Sequence, residues 1–164
     1  MNPKNKVIII VGPTASGKTA LAIELAERLN GEIVSADSMQ IFQKLDIGTA
    51  KTTLAEMRGI LHHMIDVVPP DGSYSVACYQ KDASAAIDSI LSKGKTAIVA
   101  GGTGLYINSL IYSMDFAQYA PSKEMREHLN RIAGEMGIIS LYERLREVDP
   151  QTAARVKPND QKRI

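Results

Sequence analysis

The amino-acid sequence predicts an α/β domain built on a parallel sheet, and three observations carry that expectation. A short β-branched apolar run, Val7-Ile8-Ile9-Ile10-Val11, leads into a glycine-bracketed loop and then an amphipathic helical stretch. A second strand-like run at residues 32–36 follows that helix, so the order is strand, loop, helix, strand. A third run, at residues 96–100, again follows a helical stretch and again ends in glycines.

Taken in order, the first run is continuously apolar, the pattern of a strand covered on both faces. The helix after it carries Leu21, Ala22, Leu25, Ala26 and Leu29 on one face, with Gly31 placed to end it. Residues 32–36 form the second strand, closed by Asp37-Ser38. Residues 43–60 read as loop with a short helix near 54–57, and residues 64–68 as a third strand stopped by Pro69-Pro70. Apolar positions 76, 79, 83, 86, 87, 90 and 91 keep helical spacing, and Lys93-Gly94 ends that helix. The strand at 96–100 then runs into Gly101-Gly102-Thr103-Gly104. After Tyr112, Met125, Leu129, Ile132 and Met136 mark an amphipathic helix with Ser122 as its cap. Ser140 to Glu143 fits a capping box, and Asp149-Pro150 fits an N-cap with proline at the first helical position. Helices in series without a strand predict a division into a sheet-bearing core, residues 1–112, and a helical insertion, residues 113–164.

Composition excludes several classes. The 164 residues are 45% hydrophobic and 23% charged, ordinary for a globular domain and unlike disordered, collagenous or disulfide-stapled chains. The single cysteine, Cys78, cannot form an internal disulfide, and it reads as a core residue of its helix. No apolar run reaches the length of a membrane span, and the N-terminal apolar stretch is too short for a signal peptide. A cytoplasmic monomer without a membrane partner is expected. A net charge of +1 argues against wholesale nucleic-acid coating but leaves room for a local patch. The chain stops at Gln161-Lys162-Arg163-Ile164 with no helix breaker, as if cut within an element.

Gly12-Pro13-Thr14-Ala15-Ser16-Gly17-Lys18-Thr19 matches the phosphate-loop pattern G-x-x-x-x-G-K-[ST]. Glycines let the backbone curl so that successive N–H groups face one anion. The following helix adds the positive end of its dipole, Lys18 adds a charge, and the Thr19 hydroxyl suits Mg²⁺. The pattern does not specify which phosphate compound is held. Asp37, at the carboxyl end of the second strand, sits at the sheet edge where ligands bind. It could accept a proton from a nucleophile, or it could simply form an Asx-turn or helix cap. Gly101-Gly102-Thr103-Gly104 could bring backbone amides and the Thr103 hydroxyl to a ligand, although a tight strand-to-helix turn explains it as well.

Other chemistry-bearing residues point to no site. His62 and His63 are adjacent, so on a strand they face opposite ways and cannot chelate together. Tyr106 and Tyr112, at helical spacing, read as core before base-stacking partners. Lys123, Arg126, Arg131, Arg144, Arg146 and Arg155 alternate with acids, as a solvated face does.

The chain resembles the tRNA dimethylallyltransferases, also called tRNA isopentenyltransferases. The phosphate loop alone is generic, but an ordered set of further motifs carries the resemblance. These are Ser35-Ala36-Asp37-Ser38-Met39-Gln40, Asp46-Ile47-Gly48-Thr49-Ala50-Lys51, His62-His63-Met64-Ile65-Asp66 and Tyr74-Ser75-Val76. Gly101-Gly102-Thr103-Gly104-Leu105-Tyr106 and Pro158-Asn159-Asp160-Gln161-Lys162-Arg163-Ile164 complete it. Two departures are Phe42, where the family usually has tyrosine, and Thr52, where proline commonly follows the lysine.

The resemblance implies a fold like that of the P-loop nucleotide hydrolases with a helical insertion, of which this chain would be an N-terminal portion truncated at the C-terminus. It implies transfer of a dimethylallyl group from its diphosphate to the exocyclic amine of the adenine beside the tRNA anticodon. In that family the phosphate loop (Gly12, Pro13, Thr14, Ala15, Ser16, Gly17, Lys18, Thr19) holds the prenyl diphosphate, with Thr19 toward Mg²⁺. Asp37 and Thr103 are the implied catalytic residues, Asp37 as general base. The positions implied to meet the tRNA anticodon stem-loop are Asp37, Ser38, Met39, Gln40, Thr103, Gln161, Lys162 and Arg163. The helical segment would grip the anticodon stem. A small-molecule kinase using ATP, with Asp37 activating a hydroxyl, is the rival enzyme reading. A nucleotide-dependent binding module is the non-enzymatic one.

Overall fold

The structure is a computed structural model that describes residues 7–112, 114, 116 and 122–164. The chain divides into two compact units, one ending at Met114 and the other beginning at Asp115.

The first unit is a three-layer α/β arrangement around a four-stranded sheet in the order β1-β4-β2-β3. The strands are β1 (Val7–Val11), β2 (Gly31–Ala36), β3 (His62–His63) and β4 (Thr96–Gly101), and every pairing is parallel. Among the described residues, three helices belong to this unit: α1 (Lys18–Leu29), α2 (Val76–Ser92) and α3 (Gly104–Ile111). Side-chain alternation along the central strands feeds two separate cores. Ile33 and Ile98 pack with Ala22, Ile23 and Ala26 of α1. Val34 and Val99 pack with Tyr79, Ala83 and Ile90 of α2 and with Tyr106 and Ile107 of α3. Tyr79 and Tyr106 stack with ring centroids 3.9 Å apart, which locks α2 to α3.

Several elements depart from the sequence expectations. β1 is half-exposed instead of fully buried, because among the described residues it pairs only with β4. Asn30, not Gly31, ends α1, adopting the left-handed conformation at φ 49. Gly31 opens β2, where a Cβ would stand 2.8 Å from the Thr96 carbonyl oxygen. The third strand is His62–His63 and does not extend over 64–68, since Met64 and Asp66 both take positive φ. Only an isolated parallel bridge from Phe42 to Val68 remains of it. No helix forms near 54–57. A Thr53–Glu56 capping box closes turns there, with the Thr53 amide donating to Glu56 Oε2 at 2.8 Å. Cys78 is exposed, being one position off the buried face of α2, and its thiol accepts from the Ser75 hydroxyl. Tyr112 is likewise exposed, while Tyr106 is core.

The second unit contains α4 (Lys123–Met136), α5 (Ile138–Val148) and α6 (Pro150–Ala153). Ser122 caps α4 by accepting from the Met125 amide, and Asp149 caps α6 by accepting from the Thr152 amide at 3.0 Å. Ser140 is no cap: it lies inside α5 and returns its hydroxyl to the Gly137 carbonyl. No described helix is long and apolar enough to cross a membrane.

Candidate functional site

The phosphate-loop residues Thr14 to Thr19 curl between β1 and α1. Ala15 and Gly17 both take positive φ, and Gly17, at φ 83, is the N-cap of α1. That conformation favours glycine, and the first amides of α1 have no partners within the helix. Lys18 follows at the first helical position, its ammonium donating to the Pro13 carbonyl across the loop.

A cavity of about 530 Å³ opens above the carboxyl ends of the strands. One wall is Thr14 to Thr19, and another is Asp37, Met39 and Gln40 just past β2. Ala100, Gly101 and Gly102 at the end of β4 form the floor, and Gly48, Thr49 and Ala50 close the remaining side. Thus Asp37 and the phosphate loop, which lie at the ends of successive strands, face one space. Parallel strands place all their carboxyl ends on one edge, which is the physical reason for this convergence.

Asp37 forms the Asx-turn that was one of the two readings left open by the sequence. Its Oδ1 accepts from the Met39 amide at 2.9 Å and the Gln40 amide at 3.4 Å, an Asx-turn that fixes the carboxylate's direction. Among the described residues no hydrogen bond engages Oδ2, which leaves an acceptor for a ligand. Thr103 is the N-cap of α3, but its hydroxyl is engaged with Ser38, accepting from the Ser38 amide at 3.0 Å and donating to the Ser38 hydroxyl at 3.3 Å. Its own amide donates to the Ala36 carbonyl at 3.0 Å. Thr103 therefore sutures the ends of β2 and β4, one residue beyond the cavity floor.

Gln40 is equally committed. Its Oε1 accepts from Ser35, and its Nε2 donates to the carbonyls of Thr49 and Ala50. Lys51, its side chain 5% exposed, donates to Asp46, Asp66 and the Phe42 carbonyl at 2.6–2.9 Å. Burial by itself would lower the Lys51 ammonium, and the two carboxylates outweigh it, raising its pKa. Gln161, Lys162 and Arg163 lie in the other unit, where they border an apolar groove with Met125, Leu129 and Leu141. Gln161 donates to the Asn130 side chain at 3.3 Å.

The two histidines do point apart, as their adjacency requires. The His62 Nδ1–H donates to the Ile60 carbonyl, and burial lowers its pKa. His63 Nε2 donates to Glu32, at the opposite end of β2 from Asp37.

Gly48, Thr49 and Ala50 line the cavity without being among the residues expected there from the sequence. The signal was a run of small residues, Gly48-Thr49-Ala50, between Asp46 and Lys51.

A model of the IPP transferase family matches residues 40–164. The chain belongs to that family. Curated relatives agree. A tRNA dimethylallyltransferase of Caldanaerobacter subterraneus subsp. tengcongensis is 54% identical over 159 residues, which is 97% of this chain and 50% of the relative. One from Acetivibrio thermocellus is 53% identical over 160 residues, covering 98% of this chain and 51% of the relative. The chain spans about half the length of the curated relatives it matches. Among solved structures, the tRNA isopentenylpyrophosphate transferase of Bacillus halodurans is similar at a TM-score of 0.69 and 42% identity, over 98% of this chain and 53% of that one. A eukaryotic dimethylallyltransferase acting on tRNA gives a TM-score of 0.80 at 33% identity, over 96% of this chain and 39% of that one. The family match includes Gln40, the Gly48–Ala50 wall, Thr103 and the second unit.

Proposed function

We propose that the protein transfers a dimethylallyl group from dimethylallyl diphosphate to the exocyclic amine of the adenine adjacent to a tRNA anticodon. The observation that carries this reading is the single cavity shared by the phosphate loop and Asp37. The family's named activity, tRNA dimethylallyl transfer, supplies the two substrates that such a cavity would bring together. Within this reading the protein acts in the cytoplasm as a monomer.

The chemistry breaks the carbon–oxygen bond of the prenyl diphosphate and forms a carbon–nitrogen bond to adenine. Charge grows on the departing diphosphate, and the backbone amides at the start of α1 with the Lys18 ammonium stabilise it. An adenine amine is a weak nucleophile, so its placement against the allylic carbon matters most. Asp37, held in direction by its Asx-turn, accepts the proton the amine loses, by way of the unengaged Oδ2. The target base must leave its stack, which is cheapest in an anticodon loop. Asp37, Ser38, Met39, Gln40 and Thr103 are the tRNA-facing positions of the first unit, and Gln161, Lys162 and Arg163 those of the second.

Thr19 lines the cavity beside Lys18, and one hydroxyl together with diphosphate oxygens and water is a donor set that suits Mg²⁺. When bound there, Mg²⁺ would supply charge neutralisation on the diphosphate.

Asp37 variants of the full-length protein test the reading. Asp37→Asn keeps an oxygen to accept from the Met39 amide but loses basicity. Transfer is expected to fall by about 10²–10⁴-fold while affinity for inorganic diphosphate stays near wild type. Equal loss of transfer and diphosphate binding would reduce Asp37 to a structural turn residue.

A further inference from the structure

The wall formed by Gly48, Thr49 and Ala50 is not held by a regular element. It belongs to a loop between β2 and β3 in which Lys44, Gly48 and Ala50 all take positive φ. Alanine at φ 49 is uncommon and persists only where its surroundings over-determine it. Two fastenings do so. The Gln40 amide holds the carbonyls of Thr49 and Ala50 from the β2 side. Lys51, the next residue, sits with its side chain almost fully buried between Asp46 before the wall and Asp66 near β3. Its third proton goes to the Phe42 carbonyl, so all three donors of the ammonium are placed. Both carboxylates are about half exposed or more, whereas the ammonium is not, so the cation is the centre of the cluster.

We propose that Lys51 is a positioning residue for the reaction: by binding Asp46, Asp66 and the Phe42 carbonyl together, it holds the Gly48–Ala50 backbone as the wall facing the phosphate loop and Asp37. Lys51 itself lies outside the cavity lining and touches no reacting atom. The inference rests on the proposed transfer reaction for its consequence, and on the cavity geometry alone for its diphosphate-binding component.

The test uses the full-length protein and two readouts: titration with inorganic diphosphate, and steady-state transfer with dimethylallyl diphosphate and tRNA. Lys51→Met is expected to weaken diphosphate binding about tenfold and to raise KM for dimethylallyl diphosphate in parallel. Lys51→Arg, which keeps the charge and several donors, is expected to recover most of the affinity. A merely structural lysine would behave differently, because loss of folded protein lowers the number of sites without changing the affinity of those that remain. Wild-type diphosphate affinity in folded Lys51→Met overturns the proposal. Should that variant fail to fold, Asp46→Ala decides, since Asp46 is largely exposed and its loss removes one anchor. Weakened diphosphate binding in folded Asp46→Ala supports the proposal, and unchanged binding overturns it. A wild-type protein that binds diphosphate but prenylates no tRNA would sink the transfer reading and leave the Lys51 comparison intact. One that binds no diphosphate would sink both.

Discussion

Gly101 lies where the strand ends meet the cavity, and replacing it with alanine gives a quantitative test. Gly101 is paired with Ala36 at the last rung of the β2–β4 ladder. A Cβ added there would stand 2.2 Å from the Ala36 oxygen, 2.4 Å from its carbonyl carbon and 2.7 Å from its Cα. All three are backbone atoms, so no side chain can swing aside. Reaching ordinary contact requires the two strand ends to separate by about 1 Å, an overpacking strain of roughly 1–3 kcal/mol. The hydrogen bond from the Thr103 amide to the Ala36 carbonyl, 3.0 Å long, lies within the same opening. Its loss adds about 1 kcal/mol, for a total near 2–4 kcal/mol. Asp37 and Thr103 both flank this point, and a displacement of about 1 Å in an active site can cost on the order of 100-fold in rate. Denaturant unfolding of the full-length protein measures the first effect, and a transfer assay the second. Gly104→Ala is the control: a Cβ there meets nothing within 4 Å, and its φ is not positive. That variant should be neutral or slightly stabilising. Gly101→Ala with wild-type stability and activity would refute the close-approach argument.

Two further perturbations have defined outcomes. Burial alone would raise the Glu32 carboxyl, but hydrogen bonds from Lys95, His63 and Lys93 outweigh it and hold it down to about 2, against an ordinary 4.5. A depressed carboxyl stabilises the fold fully above its unfolded value, so this contribution should disappear as pH falls from about 4.5 toward 2. Glu32→Gln should flatten that part of the stability–pH curve, and parallel curves for the two proteins would contradict the assignment. Ser75 caps α2 by accepting from the Cys78 amide at 3.2 Å. Ser75→Ala should cost about 1 kcal/mol in denaturant unfolding, and no change would show that another group meets that amide.

What was legible in the sequence was whatever a local pattern determines. The apolar runs of β2 and β4, the heptad-like spacing of α2 and the caps at Ser122 and Asp149 all formed as their residue types require. The phosphate loop and Asp37 were legible as separate candidates, and parallel topology explains why they share a cavity. What was not legible depended on non-local partners or on backbone conformations rare for the residue. Nothing in Met64 or Asp66 announces a positive φ, so a strand was expected where the chain kinks. Among the described residues β1 pairs only with β4, and Val7-Ile8-Ile9-Ile10-Val11 does not announce this, because an apolar strand looks the same whether one side or both are paired. The Gly48–Ala50 wall was hidden for a related reason: its place is set by Gln40 and Lys51 side chains reaching across the loop. Ser140 shows the converse error, a capping pattern formed by chance inside a helix that starts at Ile138.

The most direct test of the account is nucleoside mass spectrometry on unmodified tRNA incubated with the full-length protein, dimethylallyl diphosphate and Mg²⁺. A dimethylallyl group is expected on the adenine beside the anticodon, formed by wild type and lost in Asp37→Asn. An unmodified adenine, together with phosphoryl transfer from ATP to a small-molecule acceptor, would contradict it and return the cavity to the kinase reading.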